Sequence, residues 1–276
     1  MLPEGLAIAG ALVAAAVAGP LSGIERCSAP EVTEEQRALA KQFAVQEARL
    51  KAAGGGPVRA DITVNVYLHS VSATESTLLS DETLKAQMDA LTSRFSGTGF
   101  HLVHASNTKT VNATWAVDGD EMGMKKALRK GNYRDLNLYF LDQISGLGYC
   151  YYPTVAPVGS NEFYRDGCTN LASTVPGGKP PFGMGLTAVH ETGHWMGLMH
   201  TFSNGCYAPG DEVDDTPAQA SSTRGCPTGR DSCPKEPGLD PIHNYMDYSD
   251  DACYTEFTPG QNARMLSNWK RFRENK

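Results

Sequence analysis

The chemistry in this sequence is concentrated in one stretch, His190-Glu191-Thr192-Gly193-His194-Trp195-Met196-Gly197-Leu198-Met199-His200. Positions four apart share a face of a helix, so His190 and His194 aim two imidazoles at one point, with Glu191 beside them. Gly197 lets the chain leave the helix with positive φ, which turns His200 back toward the same point. Three imidazoles suit one zinc ion. They leave a fourth tetrahedral position open, as a catalytic site requires and a closed structural site does not. Water held there has a pKa of about 7. Glu191 is placed to take its proton during attack on a carbonyl and then to pass that proton to a leaving amine. His69, His101 and His104 lack a ligand partner at a useful spacing and read as ordinary core or surface residues.

The segments that must position this motif alternate in type. Asp61 to Leu68 reads as a strand with one buried face, and Asp81 to Phe95 as a helix with Leu84, Met88, Leu91 and Phe95 on one stripe. A strand around Gly99 to Ala105, a helix around Glu121 to Lys130 and a strand over Leu136 to Leu141 follow. The zinc-binding helix occupies Gly183 to Met196. This βαβ-like order predicts a mixed, mostly parallel twisted sheet with helices in the N-terminal half. Gly146 to Tyr152 reads equally as an edge strand able to pair with an extended peptide and as a short strand inside the sheet. From Ser203 to Cys253, Gly, Pro, Asp and Cys dominate and regular patterning fades. The chain closes on a helix capped by Thr258, with Pro259 at its first position, Gln261 completing a capping box, and Met265, Trp269 and Phe272 as its buried stripe.

The 276 residues, 41% of them hydrophobic, allow one large domain with an appendage or two modest domains. A formal net charge of -7 gives nucleic-acid binding no electrostatic source. The apolar run Leu6 to Ala18 is shorter than the roughly 20 residues of a membrane span. Ahead of Ala16-Val17-Ala18 it reads as a secretory signal over residues 1–18, although Glu4 departs from the usual basic n-region and a buried helix is the alternative. Seven cysteines agree with export. Asn112-Ala113-Thr114 is an N-glycosylation acceptor in that setting. Thr33 and Gln36 form a capping box ahead of a helical stretch to Lys51 that Phe43 and Leu50 would anchor. Ala53-Gly54-Gly55-Gly56-Pro57 then breaks the chain, so residues 19–57 read as a removable pro-segment and 58–276 as the catalytic domain, with an upper half to about 197 and a lower half over 198–276.

Asn244-Tyr245-Met246-Asp247-Tyr248, about fifty residues past the motif, adds a methionine turn, and the pair resembles the metzincin metallopeptidases. Phe182 to Val189, Gly210-Asp211, Asp215-Thr216-Pro217, Ser249-Asp250-Asp251 and Phe257 to Gln261 carry the resemblance further, to the pappalysin family and its secreted fungal and small ulilysin-like prokaryotic members, over about Leu136 to Arg273. The resemblance implies an α+β metzincin fold. It gives Met246 the role of an apolar floor beneath the histidines and places Tyr248 at the metal or as a hydrogen-bond donor to the tetrahedral intermediate. It also implies crossed disulfides Cys206 to Cys233 and Cys226 to Cys253, which leaves Cys150 and Cys168 for each other, although six cysteines allow 15 pairings. Calcium binding would fall to Asp211 with the carbonyls of Val213 and Thr216, where a solvated acidic loop is the alternative.

Asp250 and Asp251 lie where this family builds the pocket for the residue after the scissile bond, which would favour Arg or Lys there. Cys27 is the odd thiol. It could occupy the open zinc position as a latency device, stand by unpaired, or form an intermolecular disulfide. The expected protein is a secreted, monomeric zinc endopeptidase that takes extended peptides and neither nucleic acid nor membrane. A silent zinc-containing binding module and a zinc amidase acting on cell-wall material are the competing classes, and the intact Glu191 and Tyr248 argue against the first.

Overall fold

A computed structural model describes residues 25–54 and 61–276. The signal expected over 1–18 and the Gly55-Gly56-Pro57 part of the break lie outside them. Helix α1 (Glu34–Ala52) starts from Thr33, whose hydroxyl accepts from Gln36 N while the Gln36 side chain accepts from Thr33 N. Phe43 is buried on its inner face. Leu50, expected as a second anchor, is 53% exposed.

After the glycine run come β1 (Ile62–Ser72), α2 (Asp81–Phe95), β2 (Phe100–Val111), α3 (Glu121–Leu128), β3 (Leu136–Leu141), β4 (Gly148–Cys150), α4 (Asn161–Arg165), β5 (Cys168–Leu171), α5 (Leu186–Trp195) and α6 (Pro259–Phe272). The strands form one sheet in the order β2-β1-β3-β5-β4, parallel except for β4, which runs antiparallel to β5. Strand β3 has six consecutive buried residues because both of its faces are covered. On one face Val64, Leu68 and Leu138 meet Leu84 and Leu91 of α2, Val189 of α5 and Trp269 of α6. On the other, Val71, Tyr139 and Leu141 meet Met124 of α3. His69 is fully buried on this sheet and bonded through both ring nitrogens, to Thr108 and Asn137. The expected strand near Gly99 extends to Val111, and β5, unforeseen, lies between β3 and β4, so that the segment expected at Gly146 to Tyr152 forms a sheet edge.

Past α5 the chain has no α-helix or extended strand among the described residues until α6. Bonds from Cys206 to Cys233 and from Cys226 to Cys253 cross within this stretch, and a third joins Cys150 to Cys168, directly opposed on β4 and β5. Side-chain hydrogen bonds replace the missing ladders. Gln219, fully buried, accepts from the Thr201 hydroxyl and donates to Asp247, Thr223 and the Ser221 carbonyl, tying the segment after His200 to the methionine turn. At the end of α5, the buried Asp166 accepts from Trp195 Nε1 at 3.1 Å and from Arg273 at 2.8 Å, while Arg273 also donates to the Trp195 carbonyl. The end of α5 is thereby fixed to the C-terminal helix by a buried ion pair.

Candidate active site

Helix α5 holds His190 and His194 one turn apart, and the chain turns at Gly197 (φ +91°) to return His200. The three Nε2 atoms converge, at 3.2 Å from His190 to His194, 3.2 Å from His190 to His200 and 2.9 Å from His194 to His200. Carbonyl oxygens of Tyr245 and Leu198 lie 2.6 and 2.7 Å from the Nδ1 atoms of His190 and His194, so these nitrogens donate and the Nε2 lone pairs face inward. Burial pushes all three imidazoles below their usual range, His194 to about 4, which keeps them neutral. With the Nε2 lone pairs of His190 and His194 facing the Nε2 of His200, the cluster fits a bound cation. Tetrahedral zinc at its usual bond lengths would space them at roughly 3.3 Å.

Glu191 is fully buried on the same helix, and burial pushes its carboxyl up to about 8. Oε2 accepts weakly from the Cys27 thiol at 3.5 Å, whereas Oε1 is buried with no hydrogen-bond partner among the described residues. Met246 is buried directly beneath α5. A Cβ on Gly193 would collide with its sulfur, so the middle of the motif needs glycine for this close approach. The Tyr248 ring packs edge-on against His200, with 4.9 Å between centroids, and its hydroxyl donates to the Cys27 carbonyl at 2.9 Å. Burial raises this phenol above its ordinary range, so it remains a donor.

Cys27 enters the centre as well: its sulfur and one nitrogen from each of the three histidines all lie within 4.8 Å of one another. The segment carrying it lies along the free edge of β4, in the parallel sense. Ser28 N donates to the Gly148 carbonyl at 2.9 Å, and Leu147 N donates to the Glu25 carbonyl at 3.2 Å. Arg26 fills a pocket beside the centre. Its guanidinium donates to Asp251 at 2.7 Å and to the Ser249 carbonyl at 3.0 Å, between the rings of Phe182 and Tyr254 at 4.9 and 4.5 Å. Of the two aspartates expected to line such a pocket, Asp251 is buried in this contact, whereas Asp250 precedes the short turn that follows, makes no side-chain cap bond there and does not bond Arg26. Sequence reasoning missed Arg26, Phe182, Tyr254 and Gln219. The Arg26-Cys27 adjacency was a usable signal for the first, while nothing in the sequence singles out Gln219.

Asp211 is not one of the groups that meet at the histidines; its Oδ1 accepts from Val213 N at 3.1 Å and from the Thr216 hydroxyl. Burial pushes it up to about 7. Asp215 in the same loop caps α6 through Gly260 N and the Thr258 hydroxyl.

Residues 179–269 match the family model described as pregnancy-associated plasma protein-A, a peptidase family. An extracellular metalloprotease of Podospora anserina is 52% identical over 264 residues, covering 90% of each chain. This chain belongs to the pappalysin family. An extracellular metalloprotease of the fungus Pyricularia oryzae is also 52% identical, over 91% of this chain and 90% of that protein. Among solved pappalysin-like structures, mature mirolysin of Tannerella forsythia in complex with a cleaved peptide superposes with a TM-score of 0.63 at 25% identity, covering 75% of this chain and 90% of that one. A promirolysin mutant shares the fold over 89% of this chain and 94% of its own, with a TM-score of 0.66 at 24% identity. The three histidines, Glu191, Met246, Tyr248 and the Asp251 pocket all fall within the part matched by the family model.

Proposed function

We propose that this pappalysin is a secreted zinc endopeptidase, held latent by its own N-terminal segment, that cuts before arginine. The observation that carries the reading is the convergence of three inward-facing imidazoles beside the unpartnered Oε1 of Glu191. Zinc bound by His190, His194 and His200 would acidify water and polarise the scissile carbonyl. Glu191 takes the proton from the attacking water and returns it to the leaving amine. Tyr248 donates to the carbonyl oxygen as negative charge develops there, the role it now plays toward the Cys27 carbonyl. An extended substrate hydrogen-bonds to the edge of β4 where residues 25–28 now pair. Casein digestion by the processed chain is expected to stop with phenanthroline and to return with added zinc. Digestion that ignores the chelator would refute the zinc peptidase.

The pocket that holds Arg26 is proposed to take the residue after the scissile bond. A flat guanidinium between two rings, bonded to a buried carboxylate and a carbonyl, favours Arg over Lys, whose compact ammonium cannot stack in this way. Asp251→Asn is expected to cut kcat/KM for a peptide with Arg at that position roughly 10- to 100-fold, the loss of one charge-assisted hydrogen bond. A peptide series with Arg, Lys, Leu or Glu there measures it, and a preference for acidic or purely apolar residues would eliminate this assignment.

A calcium ion held by Asp211 and the carbonyls of Val213 and Thr216 is a separate proposal. The buried Asp211 carboxyl supports it, since a divalent cation would restore the ionised form that burial disfavours. Removing calcium should lower the Tm of the full chain, with recovery on adding calcium but not magnesium; an unchanged Tm in EGTA would count against the ion.

A further inference from the structure

Helix α1 does more than carry the chain away from the centre that Cys27 enters. One face of it, through Leu39, Ala40 and Phe43, borders a cavity whose other walls include Tyr152, Met199, Asn268 and Phe272. Four residues beyond Phe43, the Glu47 carboxylate receives Arg264 Nε at 3.1 Å, Arg264 Nη2 at 3.0 Å and the Ser267 hydroxyl at 2.7 Å. The Arg264 side chain is only 2% exposed. Its other hydrogen bond among the described residues goes to the Glu212 carbonyl. Asp211, which also feels the Arg264 charge, is turned to Val213 N and Thr216. A buried guanidinium with a fork and a hydroxyl aimed at one place is a carboxylate site, and Glu47 fills it.

We infer that removal of residues 19–57 uncovers a second recognition site, for an acidic, aromatic-bearing helical segment of the substrate upstream of the scissile bond. This rests on the peptidase reading and on the pro-segment being removable. The orientation follows from the pro-segment. Arg26 precedes Cys27 yet occupies the pocket proposed for the residue after the scissile bond, so a substrate runs along β4 in the opposite sense. The direction in which residues 28–33 lead to α1 is therefore the substrate's upstream direction, and six extended residues reach at most about 20 Å. Without α1, Arg264 would keep only a neutral carbonyl partner among the described residues, and the apolar cavity beside it would open. A carboxylate and an aromatic ring on one face of a helix satisfy both at once. Lys41 of α1, 3.9 Å from the Glu212 carboxylate, adds a basic contact to an acidic group on the enzyme side.

The test uses the full chain, cut in the glycine run and separated from residues 19–57 by gel filtration, with two substrates: casein and a short peptide spanning only the scissile bond. A synthetic peptide of residues 34–52 is expected to raise the apparent KM for casein several-fold and leave the short peptide's turnover unchanged. The same peptide carrying Glu47→Gln or Phe43→Ala should bind about ten-fold more weakly or worse. Enzyme carrying Arg264→Gln should bind the unaltered peptide no better than the parent enzyme binds the Glu47→Gln peptide, and the peptide variants decide the matter even if that enzyme fails to fold. A peptide that inhibits both substrates alike, or neither, or that binds equally well with the Glu47→Gln change, overturns the inference. A chain that fails to cut even the short peptide overturns the peptidase reading instead.

Discussion

Glu191→Ala is expected to lower kcat/KM on casein or a short peptide between roughly 10²- and 10⁴-fold, the range for a single general acid-base group. Zinc content, measured on the same preparation, should stay near one per chain. The two expectations separate because the metal-facing atoms are imidazole nitrogens whose orientation depends on the Tyr245 and Leu198 carbonyls, not on Glu191. Loss of zinc together with activity would make Glu191 a structural partner of the site and remove it as the base. Glu191→Gln keeps the shape, and should be as inactive as the alanine form if the proton is what matters.

If the Cys27 sulfur blocks the fourth metal position as proposed, Cys27→Ser in the uncut chain is expected to raise peptidase activity roughly ten-fold or more, the balance shifting toward the open form. Arg26 and the pairing with β4 remain, so the gain should fall short of the fully processed level. Adding Arg26→Ala should bring it closer. An uncut serine variant as inactive as the parent would sink the thiol latch and leave Cys27 a bystander. The readout is initial rate on a short peptide, with the uncut state confirmed by mass.

Much of the fold was legible because its signals are local. The His190 to His200 spacing defines a helix and a turn, and both capping boxes stand where Thr33 with Gln36 and Thr258 with Gln261 place them. The mostly parallel sheet follows from alternating strand and helix patterns and matches the pappalysin fold. What stayed hidden depends on contacts between distant residues. Strand β5 is four residues long and lacks periodicity, so only its neighbours make it a strand. The outer half of β2 is polar because it runs along an exposed edge, which erases the alternation that would extend it past Ala105. Leu50 looked like an anchor by residue type, but the inner face of α1 is set by Phe43 and Glu47. At the site, the histidines were readable from spacing alone, whereas Arg26 meets Asp251 across 225 positions and Gln219 shows no motif.

The interleaved order of Cys206, Cys226, Cys233 and Cys253 has a consequence for a chain that would work among proteases, copies of itself included. A nick anywhere between Cys206 and Cys253 leaves the two pieces joined by at least one disulfide, since every point in that interval lies inside one loop or both. The irregular half, with no strand ladder to slow local opening, can therefore be cut without shedding a fragment. Such damage would show as two bands on a reducing gel and as one without reductant.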